Sequence, residues 1–209
     1  MHGTTFSKFL RLTGYLLRNP QDISRYLTHL PLIGKEPIDY ELPWYSFKAI
    51  DFLDEYTNKN MTVFEFGGGG STLFFARRAG SVYCAESSHE WAGKITSRLK
   101  GKEISNVQVE TMPFDLTSLE SFKSSAYLNS VKSHKSNIYI IDGYEESIEM
   151  RPTCFELVEK IVVEGDIIVL DDSWRYGAVR AQNKAKRVIS FESVGPCRYG
   201  VTTTDIFFY

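Results

Sequence analysis

The chain has 209 residues, 43% of them hydrophobic and 24% charged, with a formal net charge of −2. That length supports one domain with a full core, and that composition excludes a disordered chain. The charge excludes a global attraction to nucleic acid or anionic membrane, so any such affinity needs a local patch.

Cys84, Cys154 and Cys197 lie far apart, which matches neither a disulfide framework nor a zinc motif and fits a reducing compartment. Residues 1–20 are apolar in places, but Lys8, Arg11 and Arg18 interrupt them. The stretch is too broken for a signal peptide and too short for a membrane span, so a cytoplasmic protein with no membrane span is expected.

Phe6, Phe9, Leu10, Thr13, Leu16 and Leu17 follow helical spacing. A second helix is predicted with Asn19 as its cap and Pro20 at its first position, carrying Ile23, Tyr26, Leu27 and Leu30 as its stripe. Residues 31–43 hold Pro31, Pro37 and Pro43 and read as a linker. A division into a helical extension over 1–42 and a main domain over 43–209 follows. Tyr45, Ala49, Phe52, Leu53 and Tyr56 mark a helix leading into that domain.

From residue 61 onward, short β-rich runs at 61–66, 81–86, 106–111, 137–142 and 166–171 alternate with helical stretches. One of these carries Cys154, Leu157, Val158 and Ile161 at helical spacing. Such alternation predicts an α/β, Rossmann-like, doubly wound and mostly parallel sheet. Residues 186–194 and 202–209 are separated by a short turn and read as a C-terminal antiparallel hairpin, giving seven strands. Ligands of such sheets bind beyond the carboxyl ends of the strands.

The first of those ends reads EFGGGGS, residues 65–71. Four consecutive glycines imply close approach to the backbone by a phosphate, a dinucleotide or another ribose-bearing molecule. A nucleoside-triphosphate loop needs a lysine after the glycines, and none is near. A dinucleotide loop needs a third glycine where Thr72 stands. Glu65 would also sit close to a pyrophosphate.

EFGGGGS resembles the first motif of the class I S-adenosylmethionine-dependent methyltransferases, and Glu86 resembles that family's acidic residue after the second strand. The terminal hairpin resembles the family's reversed seventh strand, so the likeness covers roughly residues 60–209. It implies S-adenosylmethionine as cofactor. Gly67, Gly68, Gly69 and Ser71 would line it, with Glu65 toward its amino end, Glu86 on the ribose and Met112 to Asp115 beside the adenine. Asp142 is a further cofactor contact on this resemblance. A nicotinamide-dependent oxidoreductase and a non-catalytic cofactor-binding protein are the competing readings.

Asp142 ends the fourth strand, and Asp171 with Asp172 ends the fifth. Neighbouring strands lie about 4.8 Å apart, so the three carboxylates can converge, and an all-oxygen cluster suits Mg²⁺. The arrangement resembles the metal-dependent small-molecule O-methyltransferases, which implies Asp142, Asp171 and Asp172 as metal ligands and a hydroxyl acceptor. Catechol-type members carry a lysine where Glu145 stands, so Asp142 or Glu145 is the candidate base. Asp172 has a competing role as the cap of a helix near Trp174.

Tyr144, Glu146 and Arg151 lie in a loop that would overhang the site, with Pro152 starting the next helix. Trp174, Arg175 and Tyr176 are candidate acceptor contacts. Arg180, Lys184 and Arg187 could share a helix face, but no nucleic-acid partner is expected. The N-terminal helices are read as an acceptor lid, a homodimer contact or a weak membrane attachment.

Overall fold

The structure, a computed structural model, describes residues 5–30, 34–115, 118–145 and 149–209. Strands β1 (Thr62–Phe66), β2 (Ser81–Glu86), β3 (Val107–Thr111), β4 (Ile138–Ile141) and β5 (Ile167–Leu170) run parallel. β6 (Arg187–Val194) and β7 (Val201–Phe208) form the expected antiparallel hairpin. The sheet order is β3-β2-β1-β4-β5-β7-β6, with β7 inserted antiparallel beside β5. The chain therefore reverses direction across the sheet between β1 and β4, where open α/β sheets place their ligands.

The central strands are apolar on both sides because helices cover both faces. Val63, Ile138, Ile140 and Val169 bury one face. It is covered by α4 (Phe47–Tyr56) and α5 (Gly70–Arg78) through Phe47, Leu53, Phe74 and Phe75. Tyr15 of α1 (Thr5–Arg18) and Tyr26 of α2 (Asp22–Thr28) join the same cluster. Phe64, Phe66, Tyr139, Ile141, Ile168 and Phe207 bury the other face. Phe122 and Tyr127, from the short helices Leu119–Ser124 and Ala126–Asn129, and Phe155 pack there.

Several local expectations change. Residues 34–43 include α3 (Pro37–Tyr40), whose Ile38 is buried and whose Asp39 accepts from the Glu36 N–H at 2.9 Å. Pro31 lies outside the described residues. Asn19 does not cap α2: its side-chain amide donates back to the Tyr15 carbonyl at 2.9 Å and closes α1, and α2 starts after Gln21. The α4 helix instead has a true cap, with Ser46 Oγ accepting from the Ala49 N–H at 3.3 Å.

The helix carrying Cys154 runs from Met150 to Val158. Ile161 falls in the following turn but still packs on the core. Pro152 is its third residue, within the first turn, where an intrahelical N–H bond is not required. Arg180, Lys184 and Arg187 do not share a helix, because the helix there stops at Ala181 and Arg187 opens β6. Arg180 instead forks onto the buried Asp205 carboxylate with two contacts at 2.8 Å.

Candidate active site

The glycine run leaves β1 and enters α5, and most of its close contacts are with the chain itself. Gly67 has φ +80, and a Cβ there would meet Gly143 Cα at 2.5 Å, so the loops after β1 and β4 touch backbone to backbone. A Cβ on Gly70 would meet the Leu42 carbonyl oxygen at 2.0 Å, which fixes residues 34–43 against the start of α5. Gly68 is hemmed in by Cys84 and Ile95. Gly69 alone among the four faces ordinary contact, with the Trp91 ring at 3.4 Å. The close approach that four glycines imply is thus chiefly an approach of protein to protein.

Glu65 lies beneath this loop and not in a cavity. It is fully buried, and its carboxylate accepts from the Ser71 hydroxyl at 2.9 Å and from the Thr72 hydroxyl. Thr72 Oγ1 in turn accepts from the Gly69 N–H at 3.0 Å. Burial pushes the Glu65 pKa up to about 8 against the opposing pull of Thr72 and Ser71. Glu65 is therefore a largely neutral pin for the loop near pH 7, without direct access to a ligand.

Glu86 occupies the strand-end position the sequence assigns to it. Oε2 accepts from the Gly68 N–H at 2.9 Å and Oε1 from the Ser88 N–H at 2.8 Å. The Ser87 hydroxyl also donates to Oε1, at 3.4 Å; a carboxylate offers about four acceptor sites, so capacity remains on Oε2 for a ligand hydroxyl. Glu86 lines a cavity of about 830 Å³ together with Gly67, Gly68, Gly69, Ser71, Trp91 and Phe114. That volume suits a nucleoside-sized ligand. Asp115 is exposed and does not line this cavity; Pro113 and Phe114 form its wall there. Trp91, which donates its indole N–H to the Gly68 carbonyl, is a wall residue that sequence reasoning did not single out. Its position three residues after the helix cap Ser88, in the first turn of the helix that follows β2, was the available signal.

A second cavity of about 460 Å³ adjoins the first. Trp44, Asp142 and Arg151 line both. The second is closed by Ser7, Lys8 and Arg11 of α1 and by Trp174 and Tyr199. The N-terminal helix therefore forms part of its wall.

The three aspartates do meet at the floor of this second cavity, but on arginines. Arg151 Nη2 contacts Asp142 Oδ1 at 3.0 Å, while its Nε and Nη1 donate to the carbonyls of Gly143 and Asp171, both at 3.1 Å. One guanidinium thereby ties the end of β4 to the end of β5. Arg198, from the β6–β7 turn, contacts Asp172 Oδ1 at 3.0 Å and Asp171 Oδ2 at 3.5 Å. Thr204 donates to Asp171 at 2.7 Å and Thr202 to Asp172 at 2.8 Å.

The Mg²⁺ expected on Asp142, Asp171 and Asp172 does not fit this arrangement, because two guanidiniums already supply the positive charge and occupy the facing oxygens. Among the described residues no group of three or more His, Cys, Asp and Glu is arranged to hold a metal ion. Nor does Asp172 cap a helix: it takes φ +51, and its carboxylate turns to Arg198 and Thr202.

Burial raises the pKa of both Asp142 and Asp171. For Asp142, Arg151 opposes the rise and Asp172 adds to it; for Asp171, Arg198 opposes and Asp142 adds. Burial also pushes Asp172 up, but Arg198, Thr202 and Arg151 outweigh it and hold that carboxyl below its ordinary range. The triad thus has one secure anion and two carboxyls poised closer to neutrality.

Glu145 lines the first cavity but not the second. It accepts from the Tyr176 hydroxyl and pairs with Arg175 at 3.1 Å. Its partners make it a strut between the loops after β4 and β5, and Glu146 lies outside the described residues. Arg175 and Tyr144 line the first cavity and Trp174 the second, while Tyr176 is buried against Glu145.

No family model matches the chain, and no curated protein matches its sequence. Solved structures do match in fold. An rRNA methylase from Streptococcus thermophilus superposes with a TM-score of 0.58 at 15% identity, covering 83% of this chain and 97% of that one. A Streptococcus mutans protein in complex with SAH gives 0.56 at 13% identity, over 84% of this chain and 99% of that one. Precorrin-6y C5,15-methyltransferase from Geobacter metallireducens gives 0.54 at 12% identity, over 78% and 87%.

The chain has the Rossmann-like fold of the class I S-adenosylmethionine-dependent methyltransferases, as its motifs implied. These neighbours include rRNA and precorrin methylases and single out no oxygen-methylating branch. No described helix is long and apolar enough to cross a membrane.

Proposed function

We propose that the protein is an S-adenosylmethionine-dependent methyltransferase acting on a small-molecule hydroxyl, without a metal ion. The observation that carries this reading is the pair of cavities meeting at Asp142. The larger has the Glu86 carboxylate and the glycine loop on its wall, and the smaller has acidic groups at its floor. The reversed β7 also favours this fold over a nicotinamide-binding one, whose six-stranded order is parallel throughout.

When bound in the larger cavity, S-adenosylmethionine supplies an already activated methyl group. Glu86 would hold a ribose hydroxyl, and Trp91 with Phe114 would flank the base. Trp44, Trp174 and Tyr199 would flank an acceptor in the smaller cavity, which admits a small molecule or a single protruding group. Asp142 is the better base of the two candidates, because it faces both cavities while Glu145 is confined to one and held by Arg175. Its carboxylate takes the acceptor's hydroxyl proton as the oxygen turns nucleophile. Arg151 holds that carboxylate in place.

The test is methyl transfer from labelled S-adenosylmethionine to a panel of phenolic, catecholic and sugar hydroxyls, with chelator present and with an rRNA fragment as a further acceptor. Chelator-resistant transfer to a small hydroxyl supports the reading. Transfer only to rRNA, or only with added Mg²⁺, contradicts it.

A further inference from the structure

Lys8, Arg11, Arg151 and Arg198 line the smaller cavity together with Asp142, Asp171 and Asp172, and their charges do not cancel. Each carboxylate has its guanidinium: Asp142 lies 3.0 Å from Arg151, and Asp172 and Asp171 lie 3.0 and 3.5 Å from Arg198. A cationic acceptor therefore meets no carboxylate without a counter-charge. The cations are not all matched in turn. Arg11 pairs with Glu192 at 2.9 Å, a residue outside the cavity wall. Lys8 pairs with no carboxylate among the described residues. Arg198 Nε is buried and meets no acceptor among them, so the two aspartates do not use up that guanidinium. Burial also raises the pKa of Asp142 and Asp171, which takes negative charge out of the wall. The cavity is short of a negative charge.

Helix geometry makes this surplus part of the cavity. Ser7, Lys8 and Arg11 stand at i, i+1 and i+4 of α1, within about 100° of its circumference, and all three line the wall. The wall also carries aromatic rings: Trp44, Trp174 and Tyr199 are 47%, 45% and 64% exposed. Two of them are held in place. Trp174 donates its indole N–H to Asp172 Oδ1 at 3.3 Å, and the Arg198 guanidinium carbon sits 5.4 Å from the Trp44 ring centroid. Held rings with free area favour a flat, apolar ligand body, and about 460 Å³ has room for one ring and its substituents.

We infer that the acceptor is an aromatic hydroxy acid whose ring lies among Trp44, Trp174 and Tyr199, whose hydroxyl reaches Asp142 and whose carboxylate is received by Lys8. A single unmatched ammonium suits a monoanion better than a doubly charged phosphate. The hydroxyl gives its proton to Asp142 and takes the methyl group, releasing S-adenosylhomocysteine, while the carboxylate is only held. That last step rests on the proposed methyl transfer; the placing of the carboxylate on Lys8 does not.

The experiment is calorimetric titration of the full chain, with and without saturating S-adenosylhomocysteine. The ligands are para-hydroxybenzoate, para-hydroxycinnamate, their methyl esters and para-hydroxybenzylamine, and labelled methyl transfer is then measured to each. The acids should bind at least about fivefold more tightly than their esters, the amine should not bind, and about 0.5 M NaCl should erase most of the difference. Lys8→Gln should bring acid and ester within about twofold, and Lys8→Glu should make the acid the weaker ligand. Lys8 is exposed, so an unchanged thermal midpoint is the control for folding. Equal binding of acid and ester, a preference for the amine, no binding of any member, or Lys8 variants that keep the parent's preference would overturn the inference. So would a product methylated on the carboxylate in place of the ring hydroxyl. Preferred binding of the acids without methyl transfer supports the carboxylate site and contradicts the proposed reaction; transfer to esters as readily as to acids does the reverse.

Discussion

The two cavities that meet at Asp142 are built by different means. The larger is centred on neighbours in sequence, a strand, its glycine turn, the helix it enters and one acid from the next strand, with Trp44 and the loops after β3, β4 and β5 completing its wall. Its key polar contacts are backbone N–H groups aimed at Glu86. The smaller draws on α1, the loops after β4 and β5, and the β6–β7 turn. Its polar contacts are arginine side chains reaching between aspartates. A cofactor site made of backbone can stay fixed while an acceptor site made of side chains is changed, and the two should respond differently to substitution.

The largest effect is expected at the junction. Asp142→Asn keeps an oxygen for Arg151 but removes the base, so turnover should fall about 10²- to 10⁴-fold, with S-adenosylhomocysteine affinity held within about tenfold. The pH profile sharpens this. Burial raises the Asp142 pKa, and a base must be deprotonated, so activity should climb with pH through that raised value. The variant should lose the climb. A residual rate with the same pH limb would move the base elsewhere.

Arg151→Met tests the side-chain half by stability. It strands the partly buried Asp142 and takes the guanidinium donors from the Gly143 and Asp171 carbonyls. A loss of about 3–5 kcal/mol is expected in urea unfolding. A loss under about 1 kcal/mol would mean that the cluster is already neutral without it.

Glu86→Ala tests the backbone half by affinity. Losing two charged hydrogen-bond acceptors to the loop, and the ribose contact proposed for the same carboxylate, should weaken S-adenosylhomocysteine binding at least about 100-fold. Calorimetry reads this directly. Affinity within a few-fold of the parent would separate Glu86 from the cofactor.

Glu65→Gln should have an effect spread over pH and of definite sign. The folded pKa of Glu65 lies near 8, above its ordinary value of 4.5. The native state therefore holds the proton more tightly. Glu65 gives its full stability below pH 4.5 and loses it as pH rises toward 8, by at most ~1.4 kcal/mol per pH unit. Glutamine should flatten that decline, and the variant should gain on the parent as pH rises from 5 to 8. Parallel stability curves would show that Glu65 ionises in place.

The same contrast explains what was legible in the sequence. The five parallel strands and the hairpin could be read from β-rich runs, because burial on both faces leaves a continuous apolar signature. Glu86 and the glycine loop could be read because their spacing is local. The convergence of Asp142, Asp171 and Asp172 could be read from strand adjacency, but the identity of their counter-charge could not. Arg198 lies 26 residues from Asp172, and Arg151 reaches Asp142 across a nine-residue loop span, so no regular spacing announces either pair. Metal binding was the expectation because three acids were visible and two arginines were not. The helix expected over Arg180, Lys184 and Arg187 failed for a related reason. Its cations suggested one face, while the chain turns at Gln182 to Lys186 to begin β6.

The most direct measurement of the central claim is calorimetric titration of the full chain with S-adenosylhomocysteine, with NAD as the parallel ligand. Micromolar binding of S-adenosylhomocysteine, unchanged by chelator and absent for NAD, is the predicted result. Binding of NAD in its place, or of neither ligand, would contradict the assignment of the glycine loop and Glu86 to a methyl-donor site.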